Sequence, residues 1–438
     1  MFYNKINTYV RIFLLALLVA VWCTCFYTMG LTSEPITLTI WRPPFHTDPA
    51  AEDAFMTKLN NKFEKENPGV KVELVMVPWA ELFPKYVAAI ESKTTPDISI
   101  GGSTHLMALV PSGMVLPATD LIKEIGEDSF YTSLLPYIQW KGETWGIPQI
   151  HTCRILYYNK RHFSEAGLDP NKPPTNWDEL IEYAKKLTRE GRYGFGALYS
   201  RDYLPSQHLL MFTAQAGGGM REGETVILDS KENAVGLQFY ADLYLKHKVA
   251  APGAVAANEM MCVEDFASGR TSMGIFDQHW AGAWRKQLPQ ERFNEFGYAA
   301  LPEGPKGVKA SFGCNDGGWI WTTCEHVEVA KEWLKFWLRD DNMQEWVTMT
   351  AFMSPLKQQN EKWIPMYKEQ PWRIAAMDMF PHLINWGYPG GAHPANGTIE
   401  TSFIYSDILQ EVVVKKRPVD EVLTEYQKKL EELYSKYE

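Results

Sequence analysis

Between Ile36 and Ile100, short apolar runs alternate with amphipathic stretches, and this alternation constrains the fold more than any other feature of the chain. Ile36-Thr-Leu-Thr-Ile-Trp41 has the period-two pattern of a strand. Phe55, Leu59 and Phe63 then recur at four-residue spacing, as on the buried face of a helix, and Asn67-Pro68-Gly69 stops it. Val70 to Val77 reads as a second strand, Leu82 to Ser92 as a helix and Ile98-Ser-Ile100 as a third strand. Strands separated by helices predict an α/β lobe with a largely parallel sheet. Ligands of such sheets sit beyond the carboxyl ends of the strands, here Trp41 to His46 and Gly101 to His105.

The chain has 438 residues, more than one core ordinarily supports, so two lobes are expected. A net charge of −10 without a basic cluster argues against nucleic acid as a partner. Lys5 and Arg11 precede an uncharged run from Ile12 to Ser33 whose core reads IFLLALLVAVW. That is the pattern of an export signal, and it is long enough to span a bilayer. It is either cleaved, after the Thr28-Met29-Gly30 stretch, or kept as an anchor over residues 12–31. Cys23 and Cys25 follow Trp22 and Thr24, where a lipidation site favours small residues. Cys153, Cys262, Cys314 and Cys324 lack metal-site spacing. An oxidising compartment permits disulfides, but spacing assigns none, and buried thiols are the alternative.

Further along, Trp145-Gly-Ile-Pro-Gln-Ile150 reads as an extended crossing between lobes, followed by the strand Arg154-Ile-Leu-Tyr-Tyr158. Thr175 as N-cap with Asp178 opens a helix that buries Trp177, Leu180, Ile181, Ala184 and Leu187. Tyr193 to Leu198 and Thr271 to Phe276 read as strands, Ser230–Lys246, Cys262–Ser268 and Val327–Leu338 as helices. A last helix from Pro418 is expected to pack on the second lobe with the rest of the C-terminal region.

The order of several passages resembles the family 1 extracellular solute-binding proteins, the group that includes maltose-binding protein. They are Phe63-Glu-Lys-Glu-Asn-Pro-Gly-Val70, Thr95-Pro-Asp-Ile98, Trp145-Gly-Ile-Pro148, Leu156-Tyr-Tyr-Asn-Lys160, Phe163 to Leu168 and Pro174-Thr-Asn-Trp-Asp-Glu-Leu180. They continue with Asp265-Phe-Ala-Ser-Gly-Arg-Thr-Ser-Met-Gly274, Trp280, Ala330-Lys-Glu-Trp-Leu-Lys-Phe336 and Met353-Ser-Pro-Leu356. The resemblance implies a two-lobed periplasmic-binding-protein fold of type II, with residues 34–148 and 314–355 in one lobe and 149–313 and 356–438 in the other. It also implies delivery of a carbohydrate to an ABC permease powered by a cytosolic ATPase, in the periplasm or on the outer face of the cytoplasmic membrane, by a monomer without cofactor. A membrane-tethered sensor and a secreted glycan-active enzyme are the alternatives. No HExxH, GxSxG, P-loop or strand–GxGxxG–helix unit is present, so neither a catalytic set nor a metal site is expected.

A sugar offers C–H faces to aromatic rings and hydroxyls to planar polar groups. The resemblance places Trp280 against a sugar ring. It also puts the turn Asn315-Asp316-Gly317-Gly318-Trp319 on the cleft, with Asp316 as acceptor, Gly317 allowing close approach and Trp319 beside them. It brings Arg373, Glu400 and Phe403 toward the same site. Position at strand ends nominates Trp41, Arg42, His46 and His105. Gln149, His151 and Thr152 flank the crossing, and one of them should touch ligand. Gln215 is a further candidate, and Trp79 reads as a packing residue. The sequence does not name the sugar: a polyol, a glycerol phosphodiester and an acidic oligosaccharide stay open, and Arg42 and Arg373 make an anionic sugar one option.

Overall fold

The computed structural model describes residues 35–46 and 48–437. The export segment or anchor expected over residues 1–33 lies outside the described residues. Among the described residues no helix is long and apolar enough to cross a membrane.

The alternating first part folds as read. Strand β1 (Ile36–Arg42) leads through α1 (Pro49–Glu66) to β2 (Val70–Met76), and α2 (Trp79–Ser92) leads to β3 (Ile98–Gly102) and α3 (Ser103–Leu109). Asp48 caps α1 by accepting from the backbone N–H groups of Ala50 and Ala51. β1 lies between β2 and β3 and runs parallel to both, with Ile36 opposite Val70 and Ile40 opposite Ile98.

The crossing and the strand expected after it are one element, β4 (Ile147–Asn159), with every residue buried. Its polar residues do not end the strand, because partner strands satisfy the backbone along its whole length. Next come α4 (Trp177–Leu187), α5 (Tyr203–Gln215), α6 (Lys231–Leu245), α7 (Glu259–Ser268), β5 (Met273–Asp277), α8 (His279–Gln287) and β6 (Phe296–Ala299). The N-cap of α4 is Asn176, one residue later than expected. Asn176 accepts from Glu179 N–H, while Glu179 reaches back to the Thr175 N–H. The stretch expected as a strand from Tyr193 to Leu198 makes only isolated bridges to Thr271 and Gly274.

Strand β7 (Ser311–Ile320) is the counterpart of β4, and α9 (Val327–Trp337), α10 (Asp340–Thr350), α11 (Pro371–Met379), β8 (Leu383–Ile384), α12 (Ala395–Thr401), α13 (Ile404–Leu409) and α14 (Val419–Tyr434) complete the part that matters for the site. The sheet order is β6-β4-β7-β3-β1-β2, with β8 on β7 and β5 on β4. β4 and β7 pair antiparallel from Ile147–Gly318 to Cys153–Gly313. The far end of β7 pairs with β3, and the far end of β4 with β5 and β6. Two groups of strands are thus joined by two long ones in a mixed sheet flanked by helices. The expected lobe boundaries at 148/149 and 313/314 fall inside β4 and β7. In the C-terminal region α13 packs on α5 and α14 on α6, but α12 crosses to α3. Gly397 permits this, since a Cβ there would lie 2.8 Å from the Ala108 Cβ.

The β4–β7 register shifts between Asp316 and Gly317. Such a bulge bends a strand and re-aims the side chain beside it. Gly317 is required for packing: an added Cβ would sit 2.4 Å from the Ile147 carbonyl oxygen. Gly317→Ala is expected to lower stability by roughly 1–3 kcal/mol in urea unfolding, and an unchanged midpoint would contradict this account of the bulge.

Candidate functional site

Where the loops after β1 and β3 face the ends of β5 and β7, the surface folds in on a cavity of about 730 Å³. The strand directions bring these ends together, so the side chains at each terminus converge although the sequence separates them widely.

The floor is a polar cluster built on β4. Arg154 Nη1 lies 2.5 Å from Asp277 Oδ2 at the end of β5, and its Nη2 donates to Gln207 Oε1 on α5 at 2.5 Å. The backbone N–H of His279 and its Nδ1 meet the other Asp277 oxygen at 3.0 and 2.8 Å. Burial acts to raise the Asp277 carboxyl, but His279 and Arg154 outweigh it and hold the group well below the usual carboxylate range. The Thr152 hydroxyl, on the same strand and on the cavity wall, is buried and has no partner among the described residues.

Two more carboxyl groups line the cavity, Asp316 on β7 and Glu400 on α12. Glu400 accepts from the Thr104 hydroxyl of α3. Burial, reinforced by Asp277 and Glu400, pushes the Asp316 carboxyl up to about 7, and burial raises Glu400 as well. His105 is lowered to about 4 by burial, so it is neutral at pH 7.

Aromatic rings form the remaining walls. Phe45 and Trp79 meet edge-on at 5.3 Å, and the Trp79 Nε1–H is anchored on the Pro44 carbonyl at 2.9 Å. Tyr203 and Phe403, 4.8 Å apart, line it as well. Phe403 holds a left-handed backbone at φ 58°, a conformation that is unfavourable for a bulky residue and concentrates at functional sites.

Of the expected site residues, Asp316, His105, Glu400 and Phe403 line this cavity, as does Thr152 of the three at the crossing; the other ten do not. Arg42 is fully buried, paired with Glu52 at 2.6 Å and packed among the rings of Phe45, Trp337 and Trp346. Trp41 points to the other face of β1, over Tyr86 and Lys85. Arg373 donates to the carbonyls of Phe352 and Val347 inside the fold, so neither expected arginine is available to an anion. His46 Nε2 donates to the Met349 carbonyl at 3.1 Å. Gln149 and His151 are buried within β4, and His151 stacks on Phe380 at 3.8 Å, where burial lowers it to about 3.

Gln215 is committed to Trp177 Nε1 and the Ala310 carbonyl. Trp319 is buried against Tyr86, and Gly317 serves the bulge. Trp280 packs on Trp284 and on His279, and His279 makes the wall in its place. Helix α8 starts at His279, so the next side chain is already turned about 100° away. Trp79, read as packing, lines the cavity.

Arg154, Asp277, Gln207, His279 and Tyr203 escaped the sequence reading. The strand-end rule contained the signal for Asp277, which closes the strand preceding Trp280. For Arg154, mid-strand in an apolar run, the unusual charge itself was the signal. Gln207 and Tyr203 carry no local mark.

Two outcomes follow from these surroundings. Arg42→Ala strands a buried Glu52 and is expected to cost roughly 3–5 kcal/mol in chemical unfolding; a change near zero would show the pair to be dispensable. The fold disfavours ionised Asp316, so this group removes stability as pH climbs from about 3.8 towards about 7, with the loss complete above. The melting-temperature gain of Asp316→Asn over the unsubstituted protein is therefore expected to grow across that window and level off beyond it. A pH-independent difference would refute the shift.

A model of the family described as "Bacterial extracellular solute-binding protein" matches residues 47–344. A Brucella abortus protein described as a binding protein is 25% identical over 328 residues, 74% of this chain and 75% of that one. Among solved structures, an ABC transporter solute-binding protein of Thermotoga lettingae bound with α-D-tagatose superposes with a TM-score of 0.77 at 23% identity, covering 91% of this chain and all of that one (100%). The Mycobacterium tuberculosis protein UgpB in complex with glycerophosphocholine gives a TM-score of 0.73 at 22% identity, over 92% of this chain and 99% of that one. These structural neighbours share the two-lobed α/β fold.

Proposed function

The chain belongs to the bacterial extracellular solute-binding proteins, and on that premise we propose that it captures a carbohydrate for an ABC importer, in the cavity between the two halves of its sheet. The observation that carries this reading is the composition of that cavity, in which the rings of Phe45, Trp79, Tyr203 and Phe403 face a floor of Arg154, Asp277 and Gln207. Rings take the C–H faces of a sugar and the charged hydrogen-bonding groups fix its hydroxyls. The tagatose held by the Thermotoga neighbour is a ligand of this type.

The remaining steps are ours to propose as well. The lobes comprise residues 34–148 with 314–355 and residues 149–313 with 356–438, and they turn on β4, β7 and the stretch around Met353. Ligand stabilises the closed arrangement through the contacts it gains there, and the membrane permease, driven by a cytosolic ATPase, reads that closed surface. The protein acts as a monomer, without cofactor, and releases the sugar unaltered. Export by residues 1–33 puts it in the periplasm or on the outer face of the cytoplasmic membrane, with residues 12–31 as the anchor where the segment is kept.

Calorimetric titration with mono- and oligosaccharides tests the reading. A sugar that binds is expected to raise the melting temperature, to emerge chemically unchanged and to compact the protein in small-angle scattering. Trp79→Ala should weaken that binding about ten-fold through loss of the ring face. Turnover of the sugar would replace binding with catalysis, and an unchanged radius of gyration on saturation would remove the closure step.

A further inference from the structure

We infer that the ligand offers hydrogen-bond donors to Asp316 and Glu400 and carries no anionic group, so the cleft accepts neutral and amino sugars and turns away phosphorylated or carboxylated ones. This deepens the carbohydrate reading and rests on it.

Both carboxyl groups line the cavity, Asp316 from β7 and Glu400 from α12, and they are near enough for Glu400 to raise Asp316, so one ligand can meet both. No hydrogen bond from the described residues reaches the Asp316 carboxyl, whereas Glu400 takes the Thr104 hydroxyl on one oxygen. Free acceptor positions therefore remain on each. The buried Thr152 hydroxyl, without a partner among the described residues, adds a group suited to a ligand hydroxyl.

Compensation for an anion is missing. Among the described lining residues Arg154 is the one lysine or arginine, and it is committed to Asp277 and Gln207. His279 faces the same Asp277, His105 is held neutral by burial, and Glu259 on α7 is a fourth acidic residue at the wall. The Tyr203 phenol, raised by burial, stays protonated.

Two helix starts, the other usual seat of a phosphate, are also taken: Asp277 accepts from the first N–H of α8 and Asp202 from that of α5. At the start of α3 the Thr104 hydroxyl donates to Glu400. A phosphate or carboxylate entering here meets acidic side chains, and the one arginine among the described lining residues is already committed to Asp277 and Gln207. A hydroxyl or an ammonium group donates to them.

The probes are glucose, galactose and maltose, each titrated into the protein beside its amino, uronic and phosphorylated counterpart, in two buffers of different ionisation enthalpy. For whichever neutral sugar binds, the anionic counterpart is expected to bind at least ~10-fold more weakly, since like-charge juxtaposition costs several kcal/mol. Near neutral pH, the neutral sugar should release protons as Asp316 ionises to accept from it. The Asp316→Asn, Glu400→Gln double variant should narrow the gap between neutral and anionic members.

An anionic member binding as tightly as its neutral counterpart, or an unaltered gap in a folded double variant, overturns the charge selectivity and leaves the carbohydrate reading standing. Silence from every sugar, whatever its charge, overturns the carbohydrate reading itself and this inference with it.

Discussion

The antiparallel pairing of β4 with β7 is the constraint on which the rest of the molecule depends. Each strand belongs to both halves of the sheet, so neither half can be placed without the other. The register shift at Asp316 and Gly317 sits where the two halves meet. It lets the ladder continue while turning a carboxylate towards the cavity, and the glycine is needed because the Ile147 carbonyl leaves no room for a side chain. Of the polar residues buried on β4, Arg154 pairs with Asp277 and Thr152 faces the cavity, while the side chains of Gln149 and His151 have no hydrogen-bond partner among the described residues.

Charge is handled in two ways. The Arg42–Glu52 pair is sealed in the interior beneath aromatic rings, where it fixes the loop after β1 through the Phe45 and His46 N–H groups. The Arg154–Asp277 pair has the same chemistry but opens on the cavity, with Gln207 and His279 completing its hydrogen bonds. Asp316 and Glu400 have no cation of their own, and burial raises both. A site in this state is electrostatically incomplete, and the donor-rich ligand we propose would complete it. Desolvation strengthens each such contact, so the energy of capture and the energy of closure come from the same groups.

The family and the alternating α/β order were legible in the chain because they rest on local signals. Period-two and four-residue spacings, the Asn67-Pro68-Gly69 stop and the Pro418 start each depend on neighbours in sequence, and each reappears in the structure. The helix cap near Thr175 shifted by one residue because Asn176 and Glu179 make the reciprocal bonds, a choice that propensity alone leaves open. The cavity was legible in part. Asp316, Glu400, His105 and Phe403 lie where the resemblance or a strand end put them, while Arg42, Arg373 and Gln215 are drawn into packing by partners far along the chain and Trp280 is turned onto its helix neighbours His279 and Trp284.

What the sequence determined by itself was therefore the order of strands and helices, the family, and the stretches that end near a common edge, because these follow from short-range periodicity and from passages that keep their order. Which side chain of each stretch faces the cavity was decided by tertiary structure alone. Facing depends on a one-residue difference in where a helix starts, as at His279 and Trp280, and on whether a charge meets its counter-ion inside, as Arg42 meets Glu52. Both depend on contacts between residues that only the folded chain brings together.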